Sequence, residues 1–340
     1  MKYCKYYKIG YVVDRYLEHV TQEDANILTH INIAFGLVDD GKVKIDHLKN
    51  TAHIARIREL NPDIKIVLSV GGWGAGGFSN AVSTSDGQDK FAQSAFDAYK
   101  TLGLDGIDID WEYPTHNMAG IDASPEDKYN FTSMLKKIRE ALPSGALVTI
   151  AAGAGEYFIE GTEMDKVQEY LDYIMLMTYD TASSEMTVHH TNLYDSNPEI
   201  KKSSAEHSVR IFNEAGVPLD KLIIGAAFYS REWKDVDAPK PETEGLYGLY
   251  CKKEGWPGFG AKFSDLDKDF INKNGYVRYW DDIAKAPYLF NGSNFLSYDD
   301  ELSIKHKCDF VKQQNLLGIM YWEHSCDETR KLLRAIGENL

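Results

Sequence analysis

Cysteine and long apolar runs are both scarce in this chain of 340 residues. The four cysteines, Cys4, Cys251, Cys308 and Cys326, form no Cys-x-x-Cys pair, which argues against a zinc ribbon or a thiol redox motif. Their spacing does not resemble a disulfide framework either, so we expect mostly free thiols. No apolar run reaches the roughly 20 residues that a membrane-spanning helix needs. We therefore expect neither a disulfide-stapled scaffold nor a membrane-spanning protein.

Positive charge is also scarce. The chain has 37 Lys and Arg residues against 52 Asp and Glu residues, which gives a net charge of −15. Nucleic acids and anionic membranes are bound by clustered Lys and Arg side chains, so we expect neither as the main partner. A highly anionic substrate is disfavoured for the same reason. Aromatic residues, by contrast, are plentiful at 12%, and their rings suit stacking on sugars or bases.

The first residues of the chain lack the pattern of a signal peptide. Residues 2–8 are mostly Lys and Tyr, with no apolar stretch of leader length and no Ala-x-Ala cleavage site. We therefore expect an extracellular protein if a leader has been removed, and otherwise a cytoplasmic one.

Short apolar segments typical of β-strands alternate with segments of helical spacing along the whole chain. The helical segments include Thr51–Leu60, Asp89–Leu102, Pro125–Leu142 and Ser203–Ala215, with Ser124 expected as the N-cap of the third. Strands that alternate with helices favour parallel βαβ units, and apolar residues on both faces of a strand indicate cover by helices. Eight such units predict an α/β fold, a closed (β/α)₈ TIM barrel. The predicted strands are Ile9–Val13, His30–Leu37, Ile64–Val70, Gly106–Trp111, Leu147–Ala152, Tyr173–Thr178, Leu222–Phe228 and Gly318–Trp322.

One long gap interrupts this alternation. About 65 residues, from Ser230 to Asn294, separate the seventh and eighth strand segments, whereas βα loops usually have 2–6 residues. A segment of that length must have structure of its own, and its many aromatic residues are enough for a small core. We therefore predict a barrel over residues 1–229 and 296–340, with a small α+β subdomain over 230–295 inserted between strand 7 and helix 7.

The fourth predicted strand carries a row of acidic residues. Because side chains alternate faces along a strand, Asp108, Asp110 and Glu112 share one face, about 6–7 Å apart from one to the next. The apolar residues between them belong under the helices, so the carboxyl groups point into the barrel. Like charges in a half-buried space raise at least one pKa. Glu112 ends the strand where barrel enzymes place their chemistry, and a protonated carboxyl there suits a general acid.

Two other interpretations of this row are possible. A surface strand would let the acids face water, but a strand flanked by helices on both sides should not face solvent. A metal site is the second alternative, because three carboxylates can bind Mg²⁺ or Ca²⁺. An EF-hand loop that began at Asp108, however, would need Gly at its sixth position, where this chain has Tyr113. We predict no metal and no cofactor, and chelation is the test of that prediction.

The acidic strand resembles a known family. Asp105–Glu112 matches the DGxDxDxE signature of glycoside hydrolase family 18, the family of chitinases. Further motifs similar to those of the family follow in order along nearly the whole chain: Ser69–Trp73 ends the third strand, Met177–Asp180 the sixth, Tyr229–Arg231 the seventh and Met320–Glu323 the eighth. The segment after the seventh strand looks like the α+β insertion of the deep-groove chitinases.

The resemblance implies hydrolysis of a β-1,4 bond after an N-acetylglucosamine unit, with retained stereochemistry. In this family the acetamido oxygen of the substrate is the nucleophile, so no second carboxylate is needed for that role. By resemblance, Glu112 protonates the leaving oxygen and later activates water. Asp110 holds the acetamido N–H, Asp108 shares a proton with Asp110, and Tyr179 donates its hydroxyl to the acetamido carbonyl.

The resemblance also implies a set of substrate-binding residues around these four. Trp322 is the floor under the reacting sugar, Tyr11 and Phe35 line its pocket, and Trp73 stacks on a leaving-side sugar. Gly72 lets the backbone approach the site closely. The remaining residues expected to shape this subsite or to bond the sugar are Met177, Asp180, Tyr229 and Arg231.

Two adjacent histidines, His189 and His190, fall in a predicted loop. Neighbouring histidines on a loop are more often exposed to solvent than involved in binding. We therefore assign them no role.

The expected partners are chitin and chitooligosaccharides, and the expected oligomeric state is a monomer. Within the same family, an endo-β-N-acetylglucosaminidase that cuts N-glycan cores and a hydrolase of wall glycans remain alternatives. A lectin that binds sugar without cleaving it is an alternative from another class. Lectins of this family typically lack the acid, whereas this chain has Glu112.

Overall fold

A closed ring of parallel strands is the main body of the protein. The computed structural model describes residues 5–182, 186–200, 202–236, 243–248 and 257–340. The strands of the first sheet are β1 (Tyr7–Val13), β2 (His30–Asp39), β3 (Lys42–Lys44), β4 (Lys65–Gly71), β5 (Gly106–Asp110), β6 (Leu147–Gly153), β7 (Tyr173–Met177), β8 (Leu222–Ala227) and β14 (Gly318–Trp322). Eight of them pair in parallel in the order β1-β2-β4-β5-β6-β7-β8-β14, and β14 pairs back with β1. The ninth, β3, forms an antiparallel extension of β2 outside the ring.

Apolar side chains on both faces explain why these segments form barrel strands. All five residues of β5 and all six of β8 are buried, since one face packs under helices and the other fills the barrel. All eight predicted strand segments are strands of the ring, and their ends differ from the prediction by at most two residues. The predicted (β/α)₈ TIM barrel is therefore confirmed.

Helices follow the barrel strands and cover the outside of the ring. The longest, α4, begins after Thr84, whose hydroxyl accepts from Gly87 N–H at 3.1 Å, and ends at Gly103 in the left-handed region (φ 62°). In the described ranges, no helix is both long enough and apolar enough to cross a membrane. The helices are α1 (Gln22–Ile27), α2 (His53–Leu60), α3 (Phe78–Ala81), α4 (Ser85–Leu102), α5 (Asp127–Ala141), α6 (Glu156–Glu160), α7 (Met164–Val167), α8 (Ala205–Glu214), α9 (Phe263–Asp265), α10 (Glu301–Gln314) and α11 (Lys331–Asn339).

The predicted start of α5 was wrong. Ser124 is not the N-cap, since the helix begins two residues later than predicted, at Asp127. The Asp127 carboxylate accepts from the backbone N–H of Ser124 at 2.7 Å, and the Ser124 hydroxyl donates to Glu126. Ser124 and Asp127 therefore form a turn that precedes the helix.

A second sheet lies between β8 and α10. Its strands are β9 (Tyr229–Trp233), β10 (Gly258–Lys262), β11 (Val277–Asp281), β12 (Ala286–Phe290) and β13 (Phe295–Ser297), and they pair in the antiparallel order β10-β9-β13-β12-β11. A separate small core, which includes Trp233, Tyr288 and Phe295, supports it. The sheet extends from Tyr229 to Ser297, one residue before and two residues beyond the predicted insertion. The division into two domains itself stays a prediction.

This second sheet corrects the place of Tyr229 and Arg231. We expected both residues at the end of the seventh barrel strand, but β8 ends at Ala227 and both lie on β9. The chain leaves the barrel at Phe228, whose N–H donates to the carbonyl of Trp322 at 2.9 Å. From there β9 pairs with β13 and β10, so the second sheet directs Tyr229 and Arg231 toward the barrel mouth.

Two of the four cysteines lie in the described part of the barrel. Cys308 on α10 and Cys326 after β14 are buried free thiols. Cys4 and Cys251 lie outside the described residues, as does Trp256, one of the aromatic residues of the predicted subdomain.

Candidate active site at the mouth of the barrel

The acidic residues along β5 and just after it point into the barrel. The reason is Trp111, which lies between Asp110 and Glu112 and packs outside the barrel. The ring of Trp111 is 1% exposed and stacks on Phe78 of α3, with centroids 5.2 Å apart. It also meets the ring of Phe131 on α5 edge to face at 5.9 Å. Since neighbouring residues face opposite ways along a strand, Asp110 and Glu112 point to the interior. Both are buried, and Asp108 has no exposed surface.

Asp108, the deepest acid, is held by three hydroxyl groups from three different strands. Its Oδ2 accepts from Tyr11 Oη on β1 at 2.9 Å and from Ser69 Oγ on β4 at 2.7 Å, and its Oδ1 accepts from Thr149 Oγ1 on β6 at 2.7 Å. Burial raises the pKa of Asp108, and these three hydrogen bonds only partly offset the rise. The surrounding strands therefore fix the orientation of this carboxyl group.

Asp110, the middle acid, has an unused acceptor. Its Oδ1 is buried and has no hydrogen-bond partner among the described residues. Burial raises the pKa of Asp110 well above its ordinary value, and the charges of Glu112 and Asp108 raise it further. A ligand group that donates an N–H would satisfy this oxygen. In the part of the chain that the structure describes, no three His, Cys, Asp or Glu side chains converge in a metal-binding arrangement.

Glu112, the outermost acid, lies at the mouth and is 8% exposed. Burial raises the pKa of Glu112 to about 7, the negative charge of Asp180 acts in the same direction, and a hydrogen bond with Tyr113 acts against both. A large fraction of this carboxyl group therefore holds its proton near neutral pH. The peptide bond between Glu112 and Tyr113 is cis. The ring of Tyr113 lies between those of Trp73 and Tyr157, at centroid distances of 6.5 Å and 5.1 Å.

A second carboxylate, Asp180, lies across the mouth after β7 and is bound to β9. Its Oδ1 accepts from Arg231 Nε at 2.6 Å, and its Oδ2 accepts from Arg231 Nη2 at 2.6 Å and from Tyr229 Oη at 2.7 Å. Burial alone would raise the pKa of Asp180, but the hydrogen bonds and the positive charge of Arg231 hold the pKa well below its ordinary value. Asp180 is therefore ionised in the same pH range in which Glu112 is protonated.

Tyr179, the residue before Asp180, has only a weak hydrogen bond. Its hydroxyl donates to Met320 Sδ at 3.7 Å, and thioether sulfur is a poor acceptor. The ring meets Tyr229 edge to face at 6.3 Å. Burial and the nearby carboxylates raise the pKa of Tyr179 well above its ordinary value, so the hydroxyl stays protonated and can donate to a bound ligand. Met177, at the end of β7, is buried below it.

Three aromatic rings form the floor of the mouth. The indole of Trp322 stacks on Phe35 at 5.4 Å and 21° and meets Tyr11 edge to face at 5.9 Å. Gly72 makes room for this arrangement, since a Cβ there would lie 2.8 Å from the Phe35 ring and the backbone has φ 93°. The N–H of Gly72 also donates to the carbonyl of Asp110 at 2.8 Å. Trp322 is half-buried, so part of its surface is open to a ligand.

Two exposed aromatic side chains lie on opposite sides of this floor. Trp73 follows β4 and is 62% exposed, and Phe259 on β10 is 56% exposed and stacks on Tyr229 at 5.7 Å and 15°. In the ring of eight strands, β4 and β8 are four positions apart, so their ends lie across the mouth from one another. Tyr229 follows β8 by two residues. The two rings therefore flank the floor on both sides.

Several residues of this site were missed in the sequence analysis. Asn32 on β2 is fully buried and donates to Met175 Sδ at 3.6 Å, and its Oδ1 has no hydrogen-bond partner in the described part of the chain. Thr149 holds Asp108, as described above. Both are polar residues in otherwise apolar strand segments, which is a signal that points to the barrel interior. Phe259 carried no such signal, because the insertion has many aromatic residues.

The expectation for the two adjacent histidines was wrong. His189 is 4% exposed and His190 is fully buried. His189 Nε2 lies 3.2 Å from Asp281 Oδ2 in the second sheet, whereas His190 Nδ1 lies 3.3 Å from Asp180 Oδ1. The loop that carries them is covered by the second sheet, which the local sequence pattern did not indicate.

Comparisons with known proteins agree on one family. The sequence profile of Glycosyl hydrolases family 18 matches residues 6–327. Chitinase A1 of Niallia circulans is 36% identical over 314 residues, which cover 86% of this chain and 44% of that protein. Chitotriosidase-1 of Mus musculus is 29% identical, over 90% of this chain and 68% of that protein. The chain thus spans less than half the length of the first of these relatives.

Solved structures share the fold over nearly the whole chain. A glycoside hydrolase family 18 N-acetylglucosaminidase from Paenibacillus barengoltzii is 49% identical, with a TM-score of 0.95 and coverage of 98% of this chain and 100% of that one. Chitinase ChiW from a Paenibacillus species is 38% identical, with a TM-score of 0.90, and the match covers 98% of this chain and 42% of that one.

Proposed function

Since the chain belongs to Glycosyl hydrolases family 18, we propose that it hydrolyses the β-1,4 bonds that follow N-acetylglucosamine units in chitin and chitooligosaccharides. The observation that carries this proposal is the row of interior acids along β5 and just after it. The last of them, Glu112, lies at the mouth, and its pKa is raised to about 7. The uncharged substrate agrees with a net charge of −15. Relatives named chitinase A1 and chitotriosidase-1 support the substrate class.

The first chemical step is cleavage of the glycosidic bond. Glu112 gives its proton to the leaving oxygen, while the acetamido carbonyl oxygen of the same sugar attacks the anomeric carbon from the opposite side. The bond to the leaving sugar breaks and an oxazolinium ring forms, so no enzyme carboxylate is needed as nucleophile. In the second step, Glu112 takes a proton from water, and the water oxygen opens the ring on the original face. Two inversions give a product with retained stereochemistry.

Asp110 and Tyr179 are proposed to hold the acetamido group for this attack. The unpaired Oδ1 of Asp110 accepts the acetamido N–H, and its negative charge stabilises the positive charge of the oxazolinium ring. Asp108, fixed by its three hydroxyl donors, shares the proton that Asp110 gains or loses during the cycle. The Tyr179 hydroxyl leaves its weak contact with Met320 and donates to the acetamido carbonyl. Fixing the internal nucleophile in this way is a proximity effect.

The aromatic residues are proposed to hold the sugar chain. Trp322 carries the reacting sugar, with Tyr11 and Phe35 around it. Trp73 and Phe259, which stand on opposite sides of this floor, stack on sugars to either side of the reacting one. An arrangement with exposed rings on both sides suits a linear polymer.

Release of single N-acetylglucosamine units is the second candidate. The relative with 49% identity and full coverage is described as an N-acetylglucosaminidase, which favours an enzyme that removes terminal units. In that case the chemistry at Glu112 is the same, and only the number of sugars bound on each side of the reacting unit differs.

The test is a product analysis of chitotetraose digested by the purified protein. Release of dimer supports the chitinase, and release of monomer supports the N-acetylglucosaminidase. Proton NMR of the first products should show the β-anomer, since the α-anomer would contradict the proposed retaining mechanism. Cleavage of a glycoprotein N-glycan without cleavage of chitotetraose would overturn the proposed substrate. Tight binding with no product from pH 4 to pH 8, roughly the range in which carboxyl groups act as acids, would indicate a lectin.

A further inference from the structure

The buried side chain of His190 contacts Asp180 on the side away from the mouth. His190 Nδ1 lies 3.3 Å from two atoms of Asp180, the carboxylate Oδ1 and the backbone nitrogen. The imidazole has no exposed surface, so it cannot contact a sugar itself. Any effect of His190 on the reaction must therefore act through the residues that it contacts.

Hydrogen-bond geometry decides which of these two contacts is formed. Nδ1 accepts from the Asp180 N–H only if the proton is on Nε2, and it would donate to Oδ1 only if it carried the proton itself. The backbone N–H of Asp180 donates to Nδ1 at 3.3 Å, whereas Oδ1 lies beside this ring nitrogen without accepting from it. The favoured tautomer therefore has its proton on Nε2, which is buried and has no partner among the described residues, and its Nδ1 holds the backbone of Asp180.

His190 is itself held in place from the boundary between the barrel and the second sheet. Its backbone N–H donates to Ser297 Oγ on β13 at 2.9 Å, and its ring contacts Tyr229 with centroids 5.5 Å apart. The next residue, Thr191, donates to Asp299 at 2.7 Å. Asp299 is also paired with the buried Nζ of Lys307 at 2.6 Å. The imidazole thus lies on a rigid support and cannot move away from Asp180 without breaking these contacts.

With His190 in this tautomer, Asp180 is held at both its backbone and its side chain. Its backbone N–H donates to His190 Nδ1, while Arg231 Nε donates to Oδ1, and Arg231 Nη2 and Tyr229 Oη donate to Oδ2. Asp180 needs this support, because its backbone lies in the left-handed region with φ 55°, where non-glycine residues are uncommon. We propose that His190 is a positioning residue that fixes the Asp180 carboxylate at the mouth of the active site, an inference that rests on the proposed function.

The consequence for the reaction concerns the charge that faces Glu112. The negative charge of Asp180 helps to keep Glu112 protonated. Asp180 itself faces the cation of Arg231, while Asp110 and the hydroxyl groups of Tyr113 and Tyr179 face Glu112. His190 faces Asp180, Arg231 and Asp299, and burial lowers the pKa of His190, so it stays neutral.

The experiment compares three single variants with the wild-type enzyme on a fluorogenic chitooligosaccharide. His190→Phe keeps the ring contact with Tyr229 but removes the acceptor of the Asp180 N–H, and we expect kcat to fall about 10–100-fold with little change in KM, since small misplacement of a catalytic group has effects of this size. His190→Asn puts an amide oxygen, which can accept from the Asp180 N–H, near the position of Nδ1 and should recover most of the loss. His189→Phe is the matched control, because His189 is equally buried but pairs with Asp281. It should stay within about threefold of the wild type. If His190→Phe does not fold, the smaller His190→Leu replaces it.

A double-mutant cycle separates positioning from a general structural effect. If His190 acts through Asp180, His190→Phe should change the rate little in an Asp180→Asn background, whereas a structural defect would lower the rate by the same factor in both backgrounds. Equal factors, or equal losses in the Phe and Asn variants, would overturn the inference. A crystal structure of His190→Phe gives an answer that does not depend on activity: the Asp180 carboxylate should turn away from Arg231, and an unchanged geometry would also overturn it. Failure of the wild type to cleave the substrate, by contrast, would count against the proposed function.

Discussion

Two carboxylates at the same barrel mouth have opposite protonation states. Glu112 is buried and Asp180 is half-buried, and removal from water raises the pKa of each. Among the described residues, no cation lowers the pKa of Glu112, which rises to about 7. Asp180 accepts two hydrogen bonds from Arg231, and its pKa falls. The comparison shows that the partners of a buried acid, rather than its burial, decide whether it can serve as a proton donor near neutral pH.

The largest expected effect tests the acid of this pair. Glu112→Gln keeps the shape of the side chain but cannot donate a proton, so we expect kcat for chitotetraose to fall at least about 10²–10⁴-fold. Binding of chitotetraose, measured by isothermal titration calorimetry, should be retained. Glu140→Gln, on the exposed side of α5, is the control and should have normal activity. Normal activity in the Glu112 variant would contradict the assignment.

The next largest effect is expected when the charge of Asp180, the ionised carboxylate of the pair, is removed. The wild-type kcat/KM should fall as the pH rises through about 7, because Glu112 then loses its proton. Asp180→Asn removes a negative charge that raises the pKa of Glu112, so the basic limb of the profile should move to lower pH. Asp172→Asn is the matched control, because Asp172 lies just before the first residue of β7, at the end of the strand away from the mouth. This variant should leave the basic limb of the pH profile in place. An unmoved limb in Asp180→Asn would show that the two carboxylates are not coupled.

A smaller effect is expected from Trp73 and Phe259, the two exposed rings that flank the floor of the mouth. Trp73→Ala and Phe259→Ala should each raise KM for chitotetraose about 2–10-fold, the equivalent of losing about 0.5–1.5 kcal/mol of stacking. Tyr129→Ala removes an aromatic ring that is similarly exposed, at 60%, but lies on α5. This control should have an unchanged KM. If only one of the two mouth variants differs from it, sugars are bound on only one side of the reacting unit.

The smallest expected effect concerns stability. An unfolded Glu112 ionises around its ordinary pKa of 4.5, whereas the folded protein keeps the proton up to about pH 7. The wild type therefore loses folding free energy as the pH rises from about 4.5 to about 7. Glu112→Gln does not have this loss, so its Tm should exceed that of the wild type by a few degrees at pH 8 and equal it at pH 4. Equal Tm values at pH 8, measured by differential scanning calorimetry, would indicate that burial does not raise the pKa of Glu112.

Much of the fold and the family followed from local sequence patterns. The eight apolar strand segments predicted the TIM barrel, and the DGxDxDxE motif predicted membership of glycoside hydrolase family 18; both predictions are confirmed. The roles of individual residues stay predictions. Two errors arose where distant segments decide the outcome: Tyr229 belongs to the second sheet, and His190 is buried under it. The error at Ser124 is local, because Ser124 and Asp127 form a turn that precedes the helix.

The sequence by itself determined which residues line the barrel interior, because alternation along β5 depends only on the geometry of a strand. It could not determine how those residues are charged. The donors of Asp108 come from residues as far as 97 positions away in the chain. Arg231, which keeps Asp180 ionised, lies on a strand of the second sheet. A pKa depends on the groups that surround a carboxyl in space, and only the closure of the barrel and the docking of the second sheet bring those groups together.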